Sequence, residues 1–106
     1  MHKLYRLASF VICSEENESI IGFTAYYKNH EACQIYISLI AVKKEYWSNG
    51  IGSKMLQELE TYKLRGYTSI GLEVSKANNR AYNFYKKHGF IEIEDRGLKI
   101  LMRKSL

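Results

Sequence analysis

Apolar residues recur along this chain with two different periods, and the change between them divides it. Up to Val42 the pattern is that of strands. Residues 7–13 (LASFVIC), 19–27 (SIIGFTAYY) and 33–42 (CQIYISLIAV) are rich in β-branched and aromatic side chains. Polar turns separate them at 14–18 and 28–31. In the third segment Ile35, Ile37, Leu39 and Ala41 alternate, which predicts one buried face. Three such segments joined by short turns predict an antiparallel meander.

From Gly50 the period becomes helical, with Ile51, Met55, Leu56, Leu59 and Tyr62 on one stripe. Gly66 stands where a left-handed residue ends such a helix. Residues 67–74 (YTSIGLEV) return to a strand, with Ile70, Leu72 and Val74 on one face and Gly71 and Glu73 on the other. Asn78 suits the N-cap of a second helix whose apolar side is Ala81, Phe84, Tyr85 and His88, closed by Gly89. Residues 90–93 and 98–102 predict two further strands, a hairpin turning near 95–97. The predicted order is β-β-β-α-β-α-β-β, an α+β chain with a mixed, mostly antiparallel sheet. No proline, repeat or linker interrupts the 106 residues, which predicts a single domain over 1–106.

Composition and charge narrow the function classes. An apolar content of 46% and a charged content of 25% are ordinary globular values. No apolar run approaches the ~20 residues that span a bilayer. The basic, briefly apolar start lacks a small-x-small cleavage site and reads as a strand, so a cytoplasmic protein with no membrane partner is expected. The net charge of +5 favours an anionic partner. Its basic residues are scattered, with no dense cluster of the kind that marks a nucleic-acid surface. Cys13 and Cys33 have no ligand spacing around them, so free buried thiols are expected and no metal site.

Gly50-Ile51-Gly52 sits where the strand pattern gives way to the first helix. The first amides of a helix lack internal partners and carry the positive end of its dipole, which makes such a turn a seat for phosphate. A dinucleotide fingerprint needs a third glycine where this chain has Met55. A triphosphate-binding loop needs an earlier glycine and the order Gly-Lys-Ser/Thr, against Gly52-Ser53-Lys54 here. A tight strand-to-helix connection accounts for the two glycines equally well.

Two segments together resemble the GCN5-related N-acetyltransferases (GNAT family). Trp47-Ser48-Asn49-Gly50-Ile51-Gly52, after a strand ending Ile40-Ala41-Val42, is similar to the family's acetyl-CoA signature: Arg or Gln, two residues, Gly, one residue, then Gly or Ala. About thirty residues on, the run Asn78 to Phe90 (NNRAYNFYKKHGF) is similar to its second signature, with an Asn, an Ala, a Tyr and a closing Gly-Phe. The resemblance covers about 19–103. It implies a three-layer GNAT-like fold, with acetyl-CoA as cosubstrate and no metal. The partner it implies is a primary amine (peptide N-terminus, lysine or small amine) that attacks the thioester directly. There are two departures. Trp47 stands where Arg or Gln is usual. The opening strand and two helices, which form one wall of the family's acceptor site, are expected to be missing. That leaves a sheet edge to which a second copy could pair as a homodimer.

The resemblance also implies roles for individual residues. The backbone amides of Ser48, Asn49, Gly50, Ile51, Gly52 and Ser53 hold the pyrophosphate. An amide near Ile40, Ala41 and Val42 meets the oxyanion. Asn78 faces the pantetheine arm, besides capping its helix. Glu73 corresponds to the base of the branch that acetylates protein N-termini; read from its strand alone it is equally a solvated carboxylate. Tyr85 corresponds to the acid that protonates the departing thiolate; read from its helix alone it is equally a core aromatic. His88 reads as a helix-end residue. Two other classes compete with the enzyme: a catalytically degenerate CoA-binding module that regulates or binds a partner, and a basic nucleic-acid-binding domain.

Overall fold

Among the described residues, alternating apolar side chains lay down seven strands that join one sheet, and the helical stripes cover one of its faces. The computed structural model describes residues 2–7, 9–15 and 19–106. Its elements are β1 (His2–Leu7), β2 (Phe10–Glu15), β3 (Ile20–Asn29), β4 (Gln34–Val42), α1 (Ile51–Glu60), β5 (Ser69–Ser75), α2 (Asn79–Lys87), β6 (Ile91–Asp95) and β7 (Lys99–Ser105). Short 3₁₀ turns occupy Lys44–Tyr46 and Thr61–Arg65. The strand order across the sheet is β1-β2-β3-β4-β5-β7-β6. β4 and β5 run parallel, and the other pairings are antiparallel.

Register decides which residues enter the core. Val11 pairs with Thr24 and Cys13 with Gly22, so these share a face with Tyr26, Ile35, Ile37, Ile70, Leu72 and Met102. The expected stripe of α1 (Ile51, Met55, Leu56 and Leu59) is fully buried against that face, and Tyr62 continues it in the 3₁₀ turn. Gly66 ends this stretch at φ +87, as its place in the pattern predicted. α2 lies beside α1 on the same side. Its Tyr85 joins the same buried cluster, and Lys104 of β7 both pairs with Glu60 of α1 at 3.0 Å and lies under Gly89. Two right-handed crossovers running the same way along the sheet require that common face.

Three expectations are corrected. His2–Leu7 forms a strand where none was expected; β2 then begins at Phe10, and residues 8 and 16–18 of the expected first strand and turn lie outside the described residues. β1 inserts Leu4 and Arg6 toward the core, Arg6 pairing with Glu58 at 2.7 Å and lying over the Tyr62 ring at 4.6 Å. Only two residues separate β1 from β2, too few for a helix, so among the described residues no helix covers the second face. Phe10, Tyr27, Leu39 and Ile91 stand exposed there. Secondly, Cys33 lies in a turn at φ +53 and is only half-buried, whereas Cys13 is buried; both are free thiols. The third correction is at β4.

β4 does not alternate throughout. Ala25 pairs with Leu39 but Tyr26 pairs with Ile37, so Ser38 is an extra residue, a β-bulge. Ile35 and Ile37 face the helices before it, and Ile40 and Val42 after it. Leu39, expected on the buried face, is 51% exposed. One inserted residue has exchanged the two faces of the strand.

Candidate functional site

The bulge coincides with the point where the parallel pair separates. β4 and β5 pair from Gln34↔Ser69 to Ile37↔Leu72 and no further. Beyond that point residues 38–42 and 73–75 diverge, leaving a gap through the sheet. The amide of Lys43 donates to Ile21 O on β3 at 2.8 Å. By antiparallel alternation Ala41 also turns its amide to β3, and Ile40 and Val42 turn theirs toward the gap. The carbonyl of Val42, pointing the same way, accepts from Trp47 Nε1 at 2.9 Å. An amide facing the gap was expected near Ile40, Ala41 and Val42; parity singles out the first and third.

The two helices that border the gap begin differently. Asn78 caps α2, its Oδ1 accepting from Ala81 N at 3.1 Å. This leaves the two amide protons of Asn78 for other partners. α1 has no side-chain cap; it starts from Gly50 at φ +73, and its first internal bond runs from Lys54 N to Gly50 O. The amides of Ile51, Gly52 and Ser53 precede that bond and have no partner in their own helix. Gly52 allows the helices to touch here: a Cβ on it would lie 2.9 Å from Phe84 Cζ. Next to this contact, Ser53 Oγ shares a hydrogen bond with His88 Nε2 at 2.8 Å, and the His88 ring meets Phe84 edge-on at 4.4 Å. Burial, then Lys104 and Lys87, hold the His88 pKa below its ordinary value, so the ring is neutral at pH 7.

Between the divergent end of β4 and these helices lies a cavity of about 520 Å³, lined by Ile40, Ala41, Val42, Gly52, Asn78 and Tyr85 among others. Its charged lining is basic, from Arg80 and Lys87 of α2. The Arg80 guanidinium lies 3.6 Å above the Trp47 ring, itself part of the lining. The position at which Trp47 replaces a basic or amide side chain therefore still has a cation beside it, delivered from the other helix and held by cation–π attraction.

A second, smaller cavity of about 190 Å³ shares Ile40, Asn78, Ala81 and Tyr85 with the first and adds Glu73. Tyr85 is on the helix side and buried; Glu73 is on the opposite face of the sheet, so this cavity passes through the gap. The Tyr85 hydroxyl has no hydrogen-bond partner among the described residues, and burial pushes its pKa up to about 12. Glu73 is held from two sides: Tyr36 Oη donates to Oε1 at 3.4 Å and Arg96 Nη1 to Oε2 at 3.1 Å. Burial, then Glu73, raise the Tyr36 pKa, and the hydrogen bond to Glu73 raises that of Arg96.

The expected site residues are thus divided. Ile40, Ala41, Val42, Gly52, Asn78 and Tyr85 meet in the larger cavity, and Glu73 reaches Tyr85 through the smaller. Ser48, Asn49 and Gly50 form the exposed turn ahead of α1 and line neither cavity. Ile51 puts its side chain into the core and Ser53 bonds His88, so these two offer backbone amides only. Arg80, Lys87 and Arg96 escaped the sequence reading. Arg80 carried a faint signal, a basic residue in the first turn of a capped helix; the others become neighbours only through the fold.

Known proteins resemble this chain and share its fold. The acetyltransferase (GNAT) family matches over residues 2–90. N-alpha-acetyltransferase 30 of Schizosaccharomyces pombe is 41% identical over 56 residues, covering 52% of this chain and 37% of its own length. A thialysine N-epsilon-acetyltransferase of Bos taurus is 34% identical over 74 residues, covering 66% and 44%. The chain thus spans less than half the length of either relative. The PaiA N-acetyltransferase of Thermoplasma acidophilum, solved with coenzyme A, superposes with a TM-score of 0.84 at 26% identity over 92% of this chain and 60% of that one. Ard1 of Thermoplasma volcanium gives 0.80 at 25% identity, over 92% and 70%. With the family matched over most of its length and the fold shared with these enzymes, the chain belongs to the acetyltransferase (GNAT) family.

Proposed function

We propose that the protein moves an acetyl group from acetyl-CoA to a primary amine by direct attack of the amine on the thioester. The observation that carries this reading is the gap between β4 and β5. It opens onto an uncapped helix start on one side of the sheet and onto Glu73 on the other. The residues present fit the cosubstrate. The amides of Ile51, Gly52 and Ser53, with those of Ser48 and Gly50 ahead of them, offer donors to a pyrophosphate, whereas the amide of Asn49 is taken by Tyr46 O at 3.1 Å; Arg80 and Lys87 add positive charge. Asn78 Nδ2 and the gap-facing amides of β4 offer donors along a slender amide-bearing arm. The amide of Ile40 or Val42 stabilises the thioester oxygen as it gains charge.

The acceptor approaches from the helix-free face. Its ammonium, with a pKa near 10 if it resembles lysine, gives up a proton to Glu73 before the nitrogen attacks. Tyr85, fully protonated at pH 7, donates to the departing sulfur. The two named relatives bear on the acceptor only in part, since one name specifies an alpha and the other an epsilon amine nitrogen. A CoA-binding module without turnover is the competing reading. The short β1–β2 connection favours it, because among the described residues no helix walls the acceptor side of the sheet.

A thermal shift tests the shared premise. Acetyl-CoA at 100 times its dissociation constant adds about 2.7 kcal/mol of stability, worth roughly 10 °C in a domain of this size. No shift at saturation overturns both readings. Release of free thiol with peptide and small-molecule amines then separates enzyme from binder.

A further inference from the structure

The carboxylate assigned to the acceptor is already paired with a cation from its own chain. Arg96 stands in the turn between β6 and β7, and that turn is fixed independently of Glu73. Asp95 accepts from Gly97 N at 2.9 Å and from Lys76 Nζ at 2.7 and 2.8 Å, and Lys76 N donates to Leu98 O at 3.0 Å. From this anchored turn the guanidinium reaches across the helix-free face. It spans two carboxylates, donating through Nη1 to Glu73 at 3.1 Å and through Nη2 to Glu94 at 3.5 Å. Glu73 and Glu94 both face Leu101 across the register, so they lie on one face and can exchange a single cation without movement of the backbone. The group is half open to water, with the Arg96 side chain 42% exposed and that of Glu73 26%. Exposed pairs of this kind are weak enough to be displaced.

We propose that Arg96 holds the place on Glu73 that the acceptor's ammonium takes, and is passed to Glu94 when the acceptor docks. The inference rests on the reading of Glu73 as the group that receives the amine. Arg96 is then a specificity-determining residue: an acceptor must carry a cationic nitrogen able to compete with a guanidinium. A neutral or anionic acceptor leaves the carboxylate occupied. Glu73, Glu94 and Arg96 together carry one net negative charge, with Lys99 and Arg103 of β7 on the same face beside them. No covalent step is involved.

The test reads binding, and so stands apart from turnover. n-Butylamine, protonated at pH 7, is titrated by NMR into the CoA-saturated full chain and into R96Q, R96K and E94Q. Removing the competitor in R96Q tightens butylamine about two- to fivefold, the range that one exposed ion pair supplies. R96K retains a competing cation and stays near the wild type. E94Q removes the second carboxylate and weakens butylamine about twofold. The thermal shift with CoA is unchanged in all three, because none of these residues lines the cofactor cavity. R96Q binding butylamine no more tightly than the wild type, including no binding by either, overturns the proposal. So does E94Q matching the wild type. Absence of turnover with every amine overturns the catalytic reading and leaves these binding outcomes standing.

Discussion

Replacing Tyr85 by phenylalanine separates chemistry from packing at this site. The ring is buried against Phe84 and Phe90, with centroids at 5.5 Å from each, and the substitution keeps those contacts. Only the hydroxyl is lost, and it has no partner among the described residues. Folding therefore loses no hydrogen bond, and stability at pH 7 stays the same or rises by up to about 1 kcal/mol as a desolvated polar group is removed. A hydrogen bond to a developing thiolate is worth about 1.5–3 kcal/mol, so kcat falls about 10- to 150-fold with cofactor affinity intact.

Alkaline pH supplies a second handle on the same residue. The folded pKa, about 12, is above the unfolded value near 10, so the folded state keeps its proton while the unfolded chain releases it. The contribution is fully present below pH 10 and disappears as pH climbs toward 12, about 3 kcal/mol in all. The gap in urea stability between Tyr85→Phe and wild type therefore widens in favour of the variant from pH 9.5 upward. Thiol release at pH 7 and urea midpoints from pH 7 to 11 measure both effects. Undiminished turnover removes the donor role. A loss of more than about 2 kcal/mol at pH 7 shows the hydroxyl to be bonded in solution, and the argument from its isolation fails.

Substitutions at three further positions probe the rest of the site. Glu73→Gln lowers turnover most near neutral pH, and the defect shrinks as pH approaches the amine's pKa and free base becomes abundant; a pH-independent ratio of rates removes Glu73 as base. Asn78→Ala costs about 1 kcal/mol in urea unfolding through loss of the α2 cap, whereas Asn78→Asp retains that stability. Gly52→Ala gains up to about 1 kcal/mol of helix propensity against about 1–3 kcal/mol of crowding on Phe84, so stability is unchanged or falls by up to about 2 kcal/mol. Its CoA affinity, read by calorimetry, falls by more than the stability change predicts, because the displaced ring enters the cavity.

The helices were legible because each states its boundaries and inner face locally, in the stripe from Ile51 to Tyr62 and in Asn78 with Gly89. β4 misled at Ser38. The run IYISLIAV has an apolar residue available in either frame, and a bulge without glycine or proline leaves no mark on the alternation. β1 was hidden by Arg6, a charge pointing inward whose partner Glu58 is 52 positions away. Tyr85 and Asn78 could be found because a short motif holds them on one helix. The Trp47–Arg80 stack and the Glu73–Arg96 pair join residues 33 and 23 apart, so only the folded sheet brings them together.

The contrast between the two helix starts bears on how the protein breathes. α2 closes its first turn with its own side chain, so that end is as firm as the fold itself. α1 begins on a glycine, with no side-chain cap for its leading amides among the described residues. Under the proposed function the cosubstrate's phosphates complete that turn, and the ligand becomes a removable part of the secondary structure. Local opening at residues 51–53 is then set by free CoA and global unfolding by the core, two thresholds in one chain. Amide exchange at Gly52 and Ser53 follows cofactor concentration, while exchange at Leu56 and Leu59 follows it only as far as the whole fold is stabilised. A shortage of cofactor is thus felt first as a frayed helix and only later as an unfolded protein.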